Sequence, residues 1–453
     1  MSSLHRHFLS LKSQSVSVSL GCSGVIAMRE MKDSGIDRIG LIPNHWSISR
    51  LKHIFSEIGS GTTPSSGKEM YYENGEYYWI QSGDLYKTKY IIDTEKRLTE
   101  LAITTFSALR EYKADFLVIA MYGASIGNVS ISKIDARTNQ ACCAIKPKDS
   151  VDFLYLYFVL CTDKDIMLDM SIGGTQPNIS QAKIMELPIM MPPKKEQIKI
   201  ATYLEKKCAE IDSLISDIQS QIETLEEYKR SVITEAVTKG LDPDVEMRDS
   251  GVQWIGMMPT HWDCQRGKYI LRYVQKPVRD DDGVITCFRD GEVTLRSNRR
   301  EEGFTMADKE IGYQGIDVGD LVVHGMDGFA GSIGISDSRG KASPVLNVLD
   351  TEQNKRYIMY YLRSMAYNDV FVALATGIRV RSCDLRWNKL AELLYPMPPV
   401  EEQQAIVEHI DSVLERTNAI IADKKQQIET IEEYKKSLIF EYVTGKKEVN
   451  ANE

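Results

Sequence analysis

The chain has 453 residues, 43% hydrophobic and 26% charged, which is too long for one ordinary domain and ample for several cores. No apolar run approaches the roughly 18–20 residues that a membrane-spanning helix needs, and a formal net charge of −9 argues against a nucleic-acid binder acting alone, since phosphate neutralisation needs lysine and arginine. Eight cysteines without a C-x-x-C pair, and seven histidines, give neither a zinc spacing nor a disulfide framework, and read as reduced core cysteines of a cytosolic protein.

Residues 1–27 carry a Ser-rich middle, LKSQSVSVSL, too polar for a signal-peptide core; they are read as a disordered tail before a natural start at Met28. A header follows, DSGIDRIGLIPNHW (Asp33–Trp46), and returns as DSGVQWIGMMPTHW (Asp249–Trp262), identical at 8 of 14 positions and offset by 216 (249 − 33). His45 and His261 hold matching places in the two headers and are read as structural, because repeated frames keep their packing roles. Between the first header and MPPKKEQIKI (from Met191) lies a variable stretch, 47–190, with short β-rich runs such as YYWIQ (Tyr77–Gln81) and DFLVIAM (Asp115–Met121). Its segment GTTPSSGKE fails as a phosphate loop: five residues separate Gly61 from Gly67, and Glu69 stands where a magnesium-binding Ser or Thr belongs.

From Leu204 an apolar seam with steps of four and three predicts a long helix, carrying Leu204, Ile211, Ile215, Ile218, Ile222, Leu225 and Val232. Pro192-Pro193 suits its entry and Gly240 its exit. The second variable stretch, 263–396, includes DLVVHGM (Asp320–Met326), and its Ser332-Ile333-Gly334 is matched to Ser125-Ile126-Gly127 of the first. MPPVEEQQAI (from Met397) opens the second long helix, whose seam holds Ile410, Leu414, Ile421, Ile428, Ile431 and Leu438 at an offset of 206 (410 − 204). QIETLEEYK (Gln221–Lys229) and QIETIEEYK (Gln427–Lys435) differ at one position in nine. A long helix with one apolar seam needs a partner, and the shared phase makes the two helices an antiparallel or crossed pair. The expected boundaries are a tail at 1–27, globular domains at 28–190 and 249–396, a central helical region at 191–248, and a helical region with tail at 397–453.

Metal and dinucleotide motifs are missing: no H-E-x-x-H or G-x-G-x-x-G occurs. The residues suited to binding are different ones. FRDGEVTLRSNRREEG and GIRVRSCDLRW bring Arg289, Arg296, Arg299, Arg300, Arg379, Arg381 and Arg386 into two short stretches of a domain with 19 basic and 19 acidic residues. Arginine reads guanine edges and clamps phosphates. In the first domain GGTQPNIS offers Thr175, Gln176 and Asn178, and LYKTKY offers Lys87 and Lys89 among aromatics.

The duplicated order, the GLIPNHW header, the MPP-x-x-EQ turns (Glu196-Gln197 and Glu402-Gln403), the QIET-x-EEYK helices and RDGEVTLRSNRREEG together resemble the specificity subunit of type I restriction–modification systems, from Met28 to about Lys447. The resemblance implies a mixed α/β (α+β) fold, with two target recognition domains separated by two long antiparallel coiled-coil helices in a pseudo-two-fold repeat. It implies double-stranded DNA, two methyltransferase subunits and restriction/translocase subunits as partners. It also implies a non-catalytic subunit of a prokaryotic cytoplasmic complex, binding no cofactor itself, while S-adenosylmethionine, ATP and Mg²⁺ belong to the partners. Paired helices would then act as a ruler between two half-sites. The alternatives are a specificity subunit of a restriction-free methyltransferase and a coiled-coil adapter that binds no DNA.

Overall fold

Each repeat builds its core on one buried strand. In the computed structural model, Phe116–Ala120 (FLVIA) is buried along its whole length, with Leu117 and Ile119 in one apolar cluster and Phe116, Val118 and Ala120 in another. The alternation follows from strand geometry, which sends successive side chains to opposite faces. The corresponding strand of the second repeat, Leu321–His324, divides in the same way: Leu321 and Val323 face one cluster, Val322 the other. The structure describes residues 29–86, 88–173, 177–299, 311–374 and 385–449; the predicted tail at 1–27 lies outside them.

The chain forms two compact units, one made of residues up to Ile211 together with those from Glu432, the other of Asp212–Ile431. Both long helices, Lys194–Lys239 and Val400–Val443, are thus shared between the units, rather than forming regions of their own as the repeats suggested. In the first unit a five-stranded sheet runs in the order Phe55–Ser60, Cys142–Pro147, Phe116–Ala120, Val129–Ser132, Tyr90–Ile91, all pairs antiparallel except the last. The second unit repeats its first four places as Arg272–Val274, Leu346–Asp350, Leu321–His324 and Ile333–Ile335.

Backbone register corrects one sequence match. Ile119 pairs with Val129 and Val323 with Ile333, so the two sheets align at an offset of 204 (323 − 119). Ser125-Ile126-Gly127 therefore corresponds to Phe329-Ala330-Gly331, not to Ser332-Ile333-Gly334. The tripeptide match was local coincidence; the chiral requirement is what repeats, with Gly127 and Gly331 at φ of +77° and +95°.

Inside each unit the start of one long helix packs on the end of the other. In the first, Leu204 and Cys208 share a cluster with Leu438, Ile439, Tyr442 and Val443, and the Tyr203 and Tyr442 rings lie 4.7 Å apart. In the second, Ile233, Ala236 and Val237 join Ile406, Val407 and Ile410, and Lys424 Nζ donates to Gln221 Oε1 at 2.5 Å. Of the seam residues, Leu204, Ile218, Ile410, Ile421 and Leu438 are buried, while Ile211, Ile215, Ile222, Leu225, Leu414, Ile428 and Ile431 are half-buried. Val232 is a correction: it is only half-buried, and Ile233 (2% exposed) takes the core position. A strict seven-residue repeat drifts about 20° per heptad against a 3.6-residue helix, so four heptads beyond Leu204 the core-facing place has moved one residue on.

The repeated header and E-Q turn now have a physical reason. Gln197 and Gln403 are buried, and their side-chain oxygens accept from the backbone of Asp152 (2.7 Å) and Asn354 (3.0 Å). Those two residues are the N-caps of helices Phe153–Thr162 and Lys355–Tyr367. Glu196 and Glu402 meet His45 and His261, both at 2.9 Å. Burial pushes the Glu196 carboxyl up, but hydrogen bonds from His45 and Arg29 outweigh it and bring it below the usual carboxylate range.

A buried tyrosine in each unit ties the variable domain to both helical frames. Tyr155 Oη donates to the carbonyls of Met190 (2.9 Å) and Val443 (3.2 Å); Tyr357 Oη does so to Pro396 (2.9 Å) and Val237 (3.2 Å). Burial raises both hydroxyls well above the usual tyrosine value, so they remain donors. Tyr155→Phe and Tyr357→Phe are each expected to cost about 1–3 kcal/mol, because two buried carbonyls lose their partner. Urea unfolding should show a lower midpoint at unchanged slope; an unmoved midpoint would mean that the hydroxyls contribute nothing.

Candidate nucleic-acid interface

In each unit part of the predicted binding residues lies beside one place, the turn that follows the buried central strand. In the second unit this turn is Gly325–Gly331. The hairpin Ile285–Cys287/Val293–Leu295 lays its tip across it: a Cβ at Gly331 would stand 2.7 Å from the Arg289 carbonyl oxygen, so only glycine allows the approach. Arg363 clamps the two segments, donating from Nε to Ile333 O (2.7 Å) and from Nη2 to Gly291 O (2.8 Å).

Three of the predicted arginines gather there. Arg289 Nη2 lies 3.1 Å from Asp327 Oδ1. Arg299 stacks 4.3 Å over the Phe288 ring and meets Asp290 (2.7 Å) and Glu292 (3.1 Å). Arg386 runs against Gly325, where an added Cβ would be 3.9 Å from its Cγ. Arg296 turns along the hairpin instead, its Nε donating to Thr286 at 3.2 Å. Arg300, Arg379 and Arg381 lie outside the described residues. The ion pairs around Arg289 and Arg299 are exposed, hence individually weak and open to exchange for phosphate oxygens.

His324 makes the turn rigid. Its Nδ1 accepts from the backbone of Met326 (3.2 Å) and Asp327 (3.0 Å), a role that requires that nitrogen to be unprotonated. Burial holds its pKa below the usual histidine value, with Arg289 acting in the same direction and Asp327 against it. Asn347 Nδ2 donates to the carbonyls of Val323 (3.1 Å) and Leu385 (3.0 Å), and Leu385 N donates to Gly325 O (2.8 Å), fixing the segment that enters Arg386.

The first unit presents the same scheme with other side chains. Its turn, Met121–Gly127, receives the segment ending in Asn178: Ile179 N donates to Met121 O (2.9 Å) and Gly123 N to Pro177 O (2.8 Å). Asn178 is exposed and pairs through its backbone with Ile172. Thr175, Gln176 and Lys87 fall outside the described residues. Lys89 is placed elsewhere: it pairs with Glu205 on the first long helix, within 5.0 Å of the Tyr90, Tyr157 and Phe158 ring centroids. Of the two tyrosines in LYKTKY, Tyr90 belongs to this packing site, whereas Tyr86 is exposed. Lys164 instead supplies a cation near the turn, its Nζ donating to Asn128 Oδ1 at 2.8 Å.

Sequence reading missed Lys164, His324, Asn347 and Arg363. The available signal was the pair of glycines at the 204-residue offset, which marks equivalent turns. Among the described residues no group of three or more His, Cys, Asp or Glu is placed to hold a metal ion. Burial pushes the Cys143 and Cys287 thiols up to about 12. No helix among them is long and apolar enough to cross a membrane.

Comparison with known proteins follows the same lines. Residues 43–224 match the family described as type I restriction modification DNA specificity domain. The type I restriction enzyme MjaIX specificity subunit of Methanocaldococcus jannaschii is 35% identical over 192 residues, which is 42% of this chain and 43% of that subunit. The putative MjaX specificity subunit of the same organism is 23% identical over 93% of this chain and 99% of its own length. A solved structure from a type I R-M system, described by its assembly and conformational transition, superposes with a TM-score of 0.62 at 13% identity, covering 89% of this chain and 98% of the other. At that identity the likeness speaks for the fold alone, while residues 43–224 match the type I restriction modification DNA specificity domain and the chain is similar in sequence to type I restriction enzyme specificity subunits.

Proposed function

We propose that the chain reads DNA sequence for a type I restriction–modification complex in a prokaryotic cytoplasm. Two target recognition domains, 28–190 and 249–396, each take one half of a split double-stranded target, and the two long helices form the coiled-coil spacer between them. Two methyltransferase subunits and the restriction/translocase subunits dock on this chain and supply the chemistry, bringing S-adenosylmethionine, ATP and Mg²⁺. This chain supplies recognition only. One observation carries the reading: both units present an equivalent turn, with Asn178 beside it in the first and Arg289 and Arg386 beside it in the second. Two equivalent readers on one chain suit a target of two blocks with an unread gap. The acidic total charge is compatible with this, because partner subunits share the phosphate contacts.

The test is methylation mapping by long-read sequencing of DNA from cells that carry this subunit with its methyltransferase. The expected result is methylated adenine in a two-block motif with a constant gap. A single contiguous motif, or methylation without sequence preference, would refute the proposal.

A further inference from the structure

One pair of large apolar residues at the two turns is left exposed. Tyr122 and Met326 stand at equivalent positions under the 204-residue offset, each directly after the residue that anchors the turn to the neighbouring strand. Met121 N donates to Ala141 O at 2.8 Å and Gly325 N to Val345 O at 2.8 Å, so the backbone on which each stands is fixed in the same way. Ser125 Oγ donates to Tyr122 O (2.7 Å), and the His324 ring accepts from Met326 N (3.2 Å). Despite these rigid seats, the side chains are 45% and 51% exposed.

A single exposed apolar side chain needs no explanation. A large one at the same place in two diverged repeats, held on a pre-ordered backbone with cations on or next to the same turn, does. Arg289 meets Asp327 and Arg386 lies against Gly325, the two chain neighbours of Met326, and Lys164 reaches Asn128, the residue after the turn of Tyr122. Exposed Ile172 extends the apolar surface next to Tyr122, through the Ile172–Asn178 and Asn178–Tyr122 bridges. An apolar group set among phosphate-seeking cations fits the C5 edge of a pyrimidine in the major groove, where the thymine methyl is the apolar feature. Because the turns are already ordered, little conformational entropy is lost on contact.

Resting on the DNA-reading proposal above, we infer that Tyr122 and Met326 are the paired apolar base-contacting residues of the two recognition domains, each setting a pyrimidine preference in one half-site. The test maps methylated motifs for the intact complex carrying Tyr122→Ala, Tyr122→Phe, Met326→Ala or Met326→Leu, with melting temperatures recorded in parallel. Tyr122→Ala is expected to relax one base position of one half-site on the order of ten- to a hundredfold, leaving the other half and the gap unchanged. Met326→Ala should do the same in the other half, while Tyr122→Phe and Met326→Leu keep the wild-type motif. Alanine variants with both half-sites intact would overturn the inference while leaving the two-block reading standing. A uniform loss of methylation at every site, with melting unchanged, would also overturn it. A wild-type complex without a two-block motif would overturn both at once.

Discussion

Replacing Arg38 with alanine is expected to destabilise the first unit by about 3–5 kcal/mol at pH 8, and by distinctly less at pH 5. Arg38 comes from the first header, and its Nη2 stands 2.8 Å from Oδ1 of Asp163, a fully buried carboxylate. The contact lacks the alignment of a hydrogen bond, and both oxygens of Asp163 are without an aligned donor. Arg38 therefore counters only part of the desolvation. Burial pushes the carboxyl up to about 6, with Arg38 pulling it down. The sign follows from proton binding: between about pH 4 and 6 the unfolded chain has released this proton while the folded chain still holds it, so stability contributed here falls as pH rises through that window. Without Arg38 the folded-state value climbs further, and the loss extends to higher pH. Chemical denaturation of the Arg38→Ala chain at the two pH values measures the difference; equal destabilisation at both would refute the account. Asp163→Asn in the Arg38→Ala background should restore much of the loss. The second header has Trp254 at this place, donating from Nε1 to Tyr361 Oη at 3.1 Å, so the pH dependence belongs to the first unit.

Exchanging residues 47–190 for the corresponding stretch of another family member is expected to replace one half-site completely and leave the other half-site unchanged. The physical basis lies at the junctions. Ser47–Arg50 and Pro188–Met191 form an antiparallel ribbon in which Ser47 faces Met191, so the stretch enters and leaves the frame side by side. The second stretch does the same, with Asp263 facing Met397. Equivalent ion clusters close both ribbons: Glu186 with Arg50 and Lys52, and Glu392 with Arg266 and Lys268. An insert bounded in this way can be changed without moving the frame, provided that it brings a cap at Asp152 and a hydroxyl at Tyr155. Motif mapping of the chimaera is the readout, and changes in both half-sites would refute the modular account.

What was legible in the sequence was what repeats. Headers, E-Q turns and helical seams announce themselves because the same packing problem is solved twice, and the buried FLVIA and LVVH runs because both strand faces are covered. The limits of the compact units were not legible, because the sequence offers no periodicity there. Nothing local indicates that helix Lys194–Lys239 changes units near Ile211, because its seam continues without a break. The Ser-Ile-Gly match slipped by three residues because identity was weighed above register. Among the binding candidates, clustering of arginines was visible, but their fates depend on tertiary partners: Asp327 for Arg289, Thr286 for Arg296, Glu205 for Lys89. Those partners lie 38, 10 and 116 positions away, beyond what spacing can reveal for the first and last.

The tyrosine tie from Tyr155 to Val443 has a consequence for synthesis. It spans 288 positions, and it is not alone: Lys199 Nζ donates to Val449 O, and Gly445 lies against Pro43 and Trp46. The first unit therefore lacks part of its core until the segment from Glu432 onwards has left the ribosome, whereas Asp212–Ile431 is one uninterrupted stretch and can close earlier. Completion of the first unit thus requires the end of the chain. Until then Leu204, Cys208 and Tyr155 lack the part of their core supplied by Leu438, Ile439, Tyr442 and Val443, the kind of uncovered apolar surface that favours aggregation during synthesis.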